Sequence, residues 1–263
     1  MTGRVALLAC AAALLMSACG GTADGNPPPV DEITVAAASD LRPAFEELGA
    51  TFEAETGTKV TFSFGSSGQL REQILGGAPF DLFASANVEF VDDVIEGGRG
   101  VATTKADYAS GRIVLWAPTG VALPRSIEDL TEQQYRRLVI ANPEHAPYGL
   151  AAQQALESAG VYEQVQSRLV YGENISDTFR IAQSGNADVG IVALSLSIAD
   201  GSDYTLIPSE LHEPLEQALV VTSTGARGDA ATAFAELIGS PEGREVMARY
   251  GFALPGETPE TQG

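Results

Sequence analysis

Four short segments of this sequence place hydroxyl or glycine residues at the start of a predicted helix. They are Ala38-Ser39-Asp40, Ser66-Ser67-Gly68, Pro147-Tyr148-Gly149 and Asn174-Ile175-Ser176. The first turn of a helix exposes amide N–H groups without a partner in the helix, and that end carries a partial positive charge. Several such ends that converge bind an anion without any charged side chain. Each segment alone is also typical of an ordinary N-cap, so the hypothesis depends on their convergence.

The elements between these segments predict an α/β fold. Residues 33–37 and 59–64 are strand-like apolar runs, and each is followed by a loop and a helical pattern. Such alternation favours largely parallel sheets covered by helices. We predict crossovers near residues 114 and 219. These divide the chain into lobe 1 (31–114 and 219–263) and lobe 2 (115–218).

The first thirty residues are predicted to lie outside the fold. Residues 5–16 form an apolar run that is too short to span a bilayer and is typical of a secretory signal peptide. The run ends in Leu15-Met16-Ser17-Ala18-Cys19, which resembles a lipoprotein cleavage motif. This predicts a signal peptide at 1–18, a lipid on the Cys19 thiol and a Gly/Pro-rich flexible tether at 19–30. The alternative is an ordinary leader in which this cysteine is incidental.

Composition excludes several classes of protein. The net charge of −20 and the lack of a basic stripe argue against a nucleic-acid partner. Both cysteines fall within the first nineteen residues, so the folded part has no disulfide and no thiolate metal site. Two histidines without zinc-binding spacing, and a Gly65-Ser66-Ser67-Gly68-Gln69 segment that is not a nucleophile elbow, argue against an enzyme. A hydrolase or an adhesive lipoprotein remains a remote alternative.

Beyond these patterns, the chain resembles a known family over residues 31–254. The family is the periplasmic molybdate-binding proteins of ABC importers. The resemblance implies a two-lobed periplasmic-binding-protein fold of type II, in which each lobe is a mostly parallel sheet and the ligand lies in the cleft between the lobes. The segments that carry it, in order, are 36–39, 64–70, 77–86, 142–149 and 187–192.

The resemblance also implies which residues hold the oxyanion. Ser39 and Ser67 would each give a hydroxyl and an amide, and Tyr148 and Ile175 would each give an amide. Molybdenum would be bound only as the oxyanion, through these four residues, and neither a further metal nor a cofactor is expected.

One position departs from the family pattern. Some members place a tyrosine hydroxyl at the position of Ala193, and here Ser195, Tyr148 or a water would have to replace that donor. The expected ligand is molybdate or tungstate, with sulfate or thiosulfate as the alternative. The expected partners are the membrane permease and its ATPase. We expect an exported monomer, anchored to the membrane by lipid.

Overall fold

The computed structural model describes residues 31–257. The predicted signal peptide, Cys19 and tether lie outside these residues. Within the described part, no helix is long and apolar enough to cross a membrane.

Ten strands form two five-stranded sheets within residues 31–257. In chain order they are β1 (Glu32–Ala38), β2 (Lys59–Gly65), β3 (Leu82–Ser85), β4 (Ala106–Gly111), β5 (Ile113–Trp116), β6 (Leu138–Ala141), β7 (Leu169–Gly172), β8 (Val189–Ala193), β9 (Thr205–Leu206) and β10 (Leu215–Val221).

Nine α-helices of the same part flank these sheets, and a 3₁₀ turn at Ser39–Leu41 precedes the first of them. The helices are α1 (Arg42–Thr56), α2 (Ser67–Leu75), α3 (Val88–Glu96), α4 (Pro147–Ser158), α5 (Tyr162–Val165), α6 (Ile175–Gln183), α7 (Leu194–Asp200), α8 (Gly228–Gly239) and α9 (Pro241–Arg249).

The two sheets have related topologies. The first has the order β2-β1-β3-β10-β4 and the second β7-β6-β8-β5-β9. In each sheet the three strands named first are parallel, and the strand beside them is antiparallel. Each sheet with its helices forms one lobe. The chain has no visible sequence repeat, so this correspondence emerges only from the strand pairing.

The chain crosses between the lobes at Arg112 and again between β9 and β10. Both points lie a few residues before the crossovers at 114 and 219 that the sequence suggested. The reason is that β5 is a continuous apolar run and β10 ends in one at 218–221, and a buried strand in either lobe gives the same pattern. Only the pairing of β5 with β8, and of β10 with β3, assigns each whole strand to its sheet.

A cluster of phenylalanine rings stabilises the packing of α1 and α8 on the sheet of lobe 1. Phe45, Phe62 and Phe234 pack with ring centroids 6.1 Å apart, and Phe52 packs edge-on against Phe234 at 5.3 Å. Phe45 and Phe52 lie on one face of α1, seven residues apart, which is two helical turns. Their burial fixes α1 on the sheet and thereby positions the loop that precedes it.

Candidate functional site

The carboxyl ends of corresponding strands in the two lobes face each other across a narrow cleft. In lobe 1, β1 leads into Ser39 and β2 leads into Ser67. In lobe 2, β6 leads into the start of α4 at Tyr148, and β7 leads into Ile175, the first residue of α6. All four residues line the same cleft. The structure therefore brings together every residue that the sequence predicted for the site.

The cleft is closed and small. Its volume is about 10 Å³, whereas pockets for drug-sized organic ligands enclose roughly 300–1,000 Å³. The cleft contains no lysine or arginine among its lining residues, which are Ala38, Ser39, Asp40, Gly65, Ser66, Ser67, Ala86, Ala146, Pro147, Tyr148 and Ile175. The arrangement suits a compact ligand that is held by amides and hydroxyls.

Several cavities in the described residues are larger than the cleft, and the two with volumes above about 300 Å³ are less suited to an anion. One of about 700 Å³ lies beside Trp116 at the far end of lobe 2. It meets the carboxyl-terminal ends of α6 and α7 and is lined by Asp200 and Asp203, and both features repel negative charge. The other, of about 360 Å³, lies at the crossovers, where three glutamates outnumber the single arginine, Arg112, beside His212.

Helix starts supply the amide donors of the cleft. Pro147 occupies the first position of α4, where a missing N–H is tolerated, and the next amide belongs to Tyr148. Asn174 caps α6 by accepting the amide of Asp177 at 3.0 Å, which leaves Ile175 at the first position of that helix. Amides in these first positions cannot bond back along their own helix, so they are available to a ligand.

The two serine hydroxyls have different environments. Ser67 Oγ accepts the amide of Ala86 at 3.0 Å, which leaves its proton for another acceptor. Ser39 Oγ donates across the cleft to Asn174 Oδ1 at 3.1 Å and accepts the amide of Ser176 at 3.2 Å. The Ser67 hydroxyl is thus free to donate to a ligand, while the Ser39 hydroxyl bridges the two lobes in this closed form.

A second bridge joins the start of α2, at 66–68, to the segment that precedes α4. The amide of Gly68 donates to the carbonyl oxygen of His145 at 3.0 Å, and Ser66 Oγ donates to the same oxygen at 2.8 Å. His145 Nδ1 also lies 2.8 Å from Ser66 Oγ, and the tautomer of the imidazole decides which of the two atoms donates.

Asp40 is the principal residue whose role the sequence did not reveal. The sequence suggested that Ser39 and Asp40 cap the first helix, but neither side chain makes a capping bond. Instead the fully buried Asp40 carboxylate accepts the Tyr148 hydroxyl at 2.9 Å and Gln217 Nε2 at 2.8 Å through Oδ2. Its Oδ1 atom is buried without a hydrogen-bond partner among the described residues. Sequence spacing gave no signal for this contact, since the partners are 108 and 177 residues away.

Burial dominates the electrostatics of this carboxyl group. Removal from water raises the pKa of Asp40 from 3.8 to about 6, although the bonds from Gln217 and Tyr148 and the nearby amides of Asp40 and Leu41 oppose the rise. Burial and the neighbouring Asp40 charge also raise the pKa of the Tyr148 and Tyr108 hydroxyls well above the ordinary value. Both tyrosines therefore stay protonated and act as donors.

The donor expected at position 193 is not supplied by either candidate side chain. Ala193 is buried, and Ser195 Oγ donates to the carbonyl oxygen of Asp40 at 2.7 Å. The Tyr148 hydroxyl is bonded to the Asp40 carboxylate. The hydroxyl protons of both Ser195 and Tyr148 are therefore donated to Asp40.

Comparisons with known proteins identify the family. A family model described as bacterial extracellular solute-binding protein matches residues 33–253. The chain is 36% identical over 230 residues to the molybdate-binding protein ModA of Rhodobacter capsulatus, which covers 86% of this chain and 90% of the relative. This chain belongs to the bacterial extracellular solute-binding proteins.

Other relatives agree with this assignment. A putative ABC transporter substrate-binding lipoprotein of Bacillus subtilis, YvgL, is 25% identical over 84% of this chain and 85% of its own length. The periplasmic molybdate-binding protein of Azotobacter vinelandii superposes with a TM-score of 0.79 at 30% identity, covering 85% of this chain and 99% of that structure. The predicted two-lobed α/β solute-binding fold is confirmed by this match. The assignment of individual residues to a ligand remains a prediction.

Proposed function

We propose that this solute-binding protein captures molybdate or tungstate and delivers it to the permease of an ABC importer. The observation that carries the proposal is the convergence of Ser39, Ser67, Tyr148 and Ile175 on one small cleft without cationic side chains. The molybdate-binding relatives, which match this chain over nearly their full length, support the choice of ligand.

The chemistry of the lining favours a fully deprotonated oxyanion. Molybdate, tungstate and sulfate accept hydrogen bonds and donate none, and the cleft offers amide and hydroxyl donors. Monohydrogen phosphate would need an acceptor for its proton. The carboxylate of Asp40 is the nearest candidate: its Oδ2 atom already accepts from Tyr148 and Gln217, and its Oδ1 atom has no partner among the described residues. Because relatives at 35% and 36% identity are molybdate-binding proteins, we place phosphate below molybdate and tungstate.

The number of donors is sufficient for tight binding. Micromolar affinity corresponds to roughly −8 kcal/mol, and a hydrogen bond to a charged group contributes about 1.5–3 kcal/mol. Two amides from lobe 2, an amide from each serine of lobe 1 and the Ser67 hydroxyl make five donors, since the Ser39 hydroxyl donates to Asn174. Together they offset an association cost of several kcal/mol. The missing tyrosine at Ala193 is thus tolerable.

The proposed working cycle has an open and a closed form. The anion binds first to the lobe 1 residues, and lobe 2 then closes and adds the amides of Tyr148 and Ile175. Ligand shifts the equilibrium only through its additional contacts in the closed form. We propose that the chain needs no cofactor, acts as a monomer and catalyses no reaction, and that ATP hydrolysis occurs on its transporter partner.

Calorimetric titration tests the ligand. The leaderless protein, stripped of ligand, is titrated with molybdate, tungstate, sulfate and phosphate. We expect one-to-one binding of molybdate and tungstate, with sulfate far weaker. Tighter binding of sulfate would move the ligand to sulfate and leave the transport role intact. Failure of all four anions to bind would refute the proposal.

A serine variant tests the site. Ser67→Ala removes a hydroxyl whose proton faces no other acceptor, so we expect molybdate affinity to fall roughly 10- to 100-fold. Ser184→Ala is the matched control, because its exposed hydroxyl donates to the carbonyl oxygen of Ile181 and accepts from Asn186 Nδ2, both in lobe 2 and outside the cleft. Equal affinities for the two variants would show that Ser67 does not contact the anion.

The proposed location follows from Cys19. We propose that the mature chain is exported and held at the membrane surface by a lipid on this thiol, as the description of the Bacillus subtilis relative as a lipoprotein suggests. In the native host, Cys19→Ala should move the protein from the membrane fraction to the soluble fraction. Unchanged membrane attachment would mean that the leader does not direct lipidation.

A further inference from the structure

A buried polar cluster links the anion cleft to the points where the chain crosses between the lobes. It consists of the side chains of Asp40, Tyr108, Tyr148 and Gln217, each at most 4% exposed. We call it the hinge cluster. Asp40 and Tyr108 belong to lobe 1, Gln217 lies on β10 near the second crossover, and Tyr148 belongs to lobe 2. The cluster therefore spans the interface between the lobes.

Four hydrogen bonds connect the side chains of the hinge cluster to one another. The Tyr148 hydroxyl donates to Asp40 Oδ2 at 2.9 Å, and Gln217 Nε2 donates to Asp40 Oδ2 at 2.8 Å and to the Tyr148 oxygen at 3.2 Å. The Tyr108 hydroxyl donates to Gln217 Oε1 at 2.9 Å, which fixes the orientation of the amide. Of these bonds, those made by Tyr148 cross between the lobes, whereas those made by Tyr108 stay within lobe 1.

Tyr148 also lies directly against the first crossover. Gly111 is the last residue of β4, and a Cβ added there would lie 2.0 Å from the Tyr148 hydroxyl oxygen and 2.9 Å from Gln217 Nε2. Glycine is thus required at 111 to let the hydroxyl reach the carboxylate. The hydroxyl of Tyr148 thus contacts a residue beside each crossover, Gly111 and Gln217. The same residue also lines the anion cleft.

These contacts make lobe closure and anion binding dependent on each other. A buried carboxylate needs its donors, because an unpaired charge in the interior is costly. When the lobes separate, Asp40 loses the Tyr148 hydroxyl. When an anion draws the amide of Tyr148 towards lobe 1, the hydroxyl of the same residue returns to Asp40.

We infer that Asp40 and Tyr148 are positioning residues that couple anion occupancy to lobe closure through the hydroxyl–carboxylate bond of the hinge cluster. The inference rests on the proposed function, since it concerns the same cleft. It assigns to the Tyr148 hydroxyl an effect on affinity although that hydroxyl is bonded to Asp40. The amide of Tyr148 is left unchanged by any substitution of the hydroxyl.

Two matched variants separate positioning from a general structural role. Tyr148→Phe and Tyr108→Phe each remove one buried hydroxyl from the hinge cluster, and only the first removes a bond between lobes. We expect Tyr148→Phe to weaken molybdate binding about 10- to 100-fold, through faster dissociation. We expect Tyr108→Phe to lower the thermal unfolding midpoint but to leave the dissociation constant within about threefold of wild type.

An NMR measurement on the wild-type chain tests the same inference if one of the variants does not fold. Tyrosine labelled with ¹³C at Cζ reports the environment of each hydroxyl. On titration with molybdate, the Tyr148 resonance should shift as its hydroxyl moves from water onto Asp40, and the Tyr108 resonance should stay in place. If a Phe variant folds, the resonance missing from its spectrum belongs to the substituted tyrosine. If it does not fold, labelling only position 148 or only position 108 of the wild-type chain assigns the resonance.

The outcomes distinguish the inference from the proposed function. A wild-type chain that binds no oxyanion refutes the proposed function. A wild-type chain that binds molybdate while Tyr148→Phe binds equally well, or while both Phe variants lose the same affinity, overturns the inference alone. An unmoved Tyr148 resonance in a chain that binds molybdate also overturns it.

Discussion

Gly68→Ala should weaken anion binding without touching any donor to the anion. A Cβ at position 68 would lie 2.6 Å from the carbonyl oxygen of His145 and 3.1 Å from its Cα. Carbon–oxygen contacts ordinarily begin near about 3.3 Å, so the two loops must separate by roughly 0.7 Å. Because residue 68 belongs to lobe 1 and His145 to lobe 2, only the closed form suffers the overlap.

The magnitude follows from the contacts at that oxygen. The His145 carbonyl accepts the Gly68 amide at 3.0 Å and the Ser66 hydroxyl at 2.8 Å. Each of these bonds contributes about 0.5–1.5 kcal/mol, and overpacking costs roughly 1–3 kcal/mol. A net loss of about 2–4 kcal/mol from the closed form corresponds to a dissociation constant raised roughly 30- to 1,000-fold.

Calorimetry gives the affinity, and small-angle scattering with and without molybdate gives the degree of closure. The free energy of unfolding of the ligand-free variant should equal or slightly exceed that of wild type, since alanine is favoured over glycine in a helix by about 1 kcal/mol. The control is Gly239→Ala on the exposed end of α8, where an added Cβ meets no atom within 4 Å. Wild-type affinity and wild-type closure in Gly68→Ala would refute the role assigned to the contact between Gly68 and His145.

Two further predictions concern stability. The pKa of Asp40 is raised from 3.8 to about 6 by burial, so the folded state binds this proton more tightly than the unfolded state. Its contribution is fully present below pH 3.8 and is lost as the pH rises through about 6, a change of roughly 3 kcal/mol. Urea denaturation from pH 4 to pH 7 measures the unfolding free energy of wild type and of Asp40→Asn. The stability of wild type relative to the variant should fall over this range, and a difference that does not change with pH would contradict the raised pKa of Asp40. Phe234→Ala removes a fully buried ring that packs on Phe45, Phe52 and Phe62, and should cost about 3–5 kcal/mol of folding stability. A loss below about 1 kcal/mol in urea denaturation would show that lobe 1 does not depend on this cluster.

Much of the fold follows from local patterns in the sequence. The alternation of buried strands and amphipathic helices predicts two α/β units, and the residues that begin the helices are visible as Ser, Asn, Pro and Gly at strand ends. Ser39, Ser67, Tyr148 and Ile175 could be selected because each stands at or beside a helix start. A helix start has unpaired amides whatever the tertiary structure, so this property is local.

Only the tertiary structure decided how these helix starts meet and what lies behind them. The assignment of β5 and β10 to opposite lobes depends on strand pairing, which a buried apolar run does not specify. The partners of Asp40, the bridge from Ser39 to Asn174 and the contact of Gly68 with His145 join residues 77 to 177 positions apart. Side-chain bonds over such separations leave no periodicity in the sequence, because they are set by the packing of one lobe against the other.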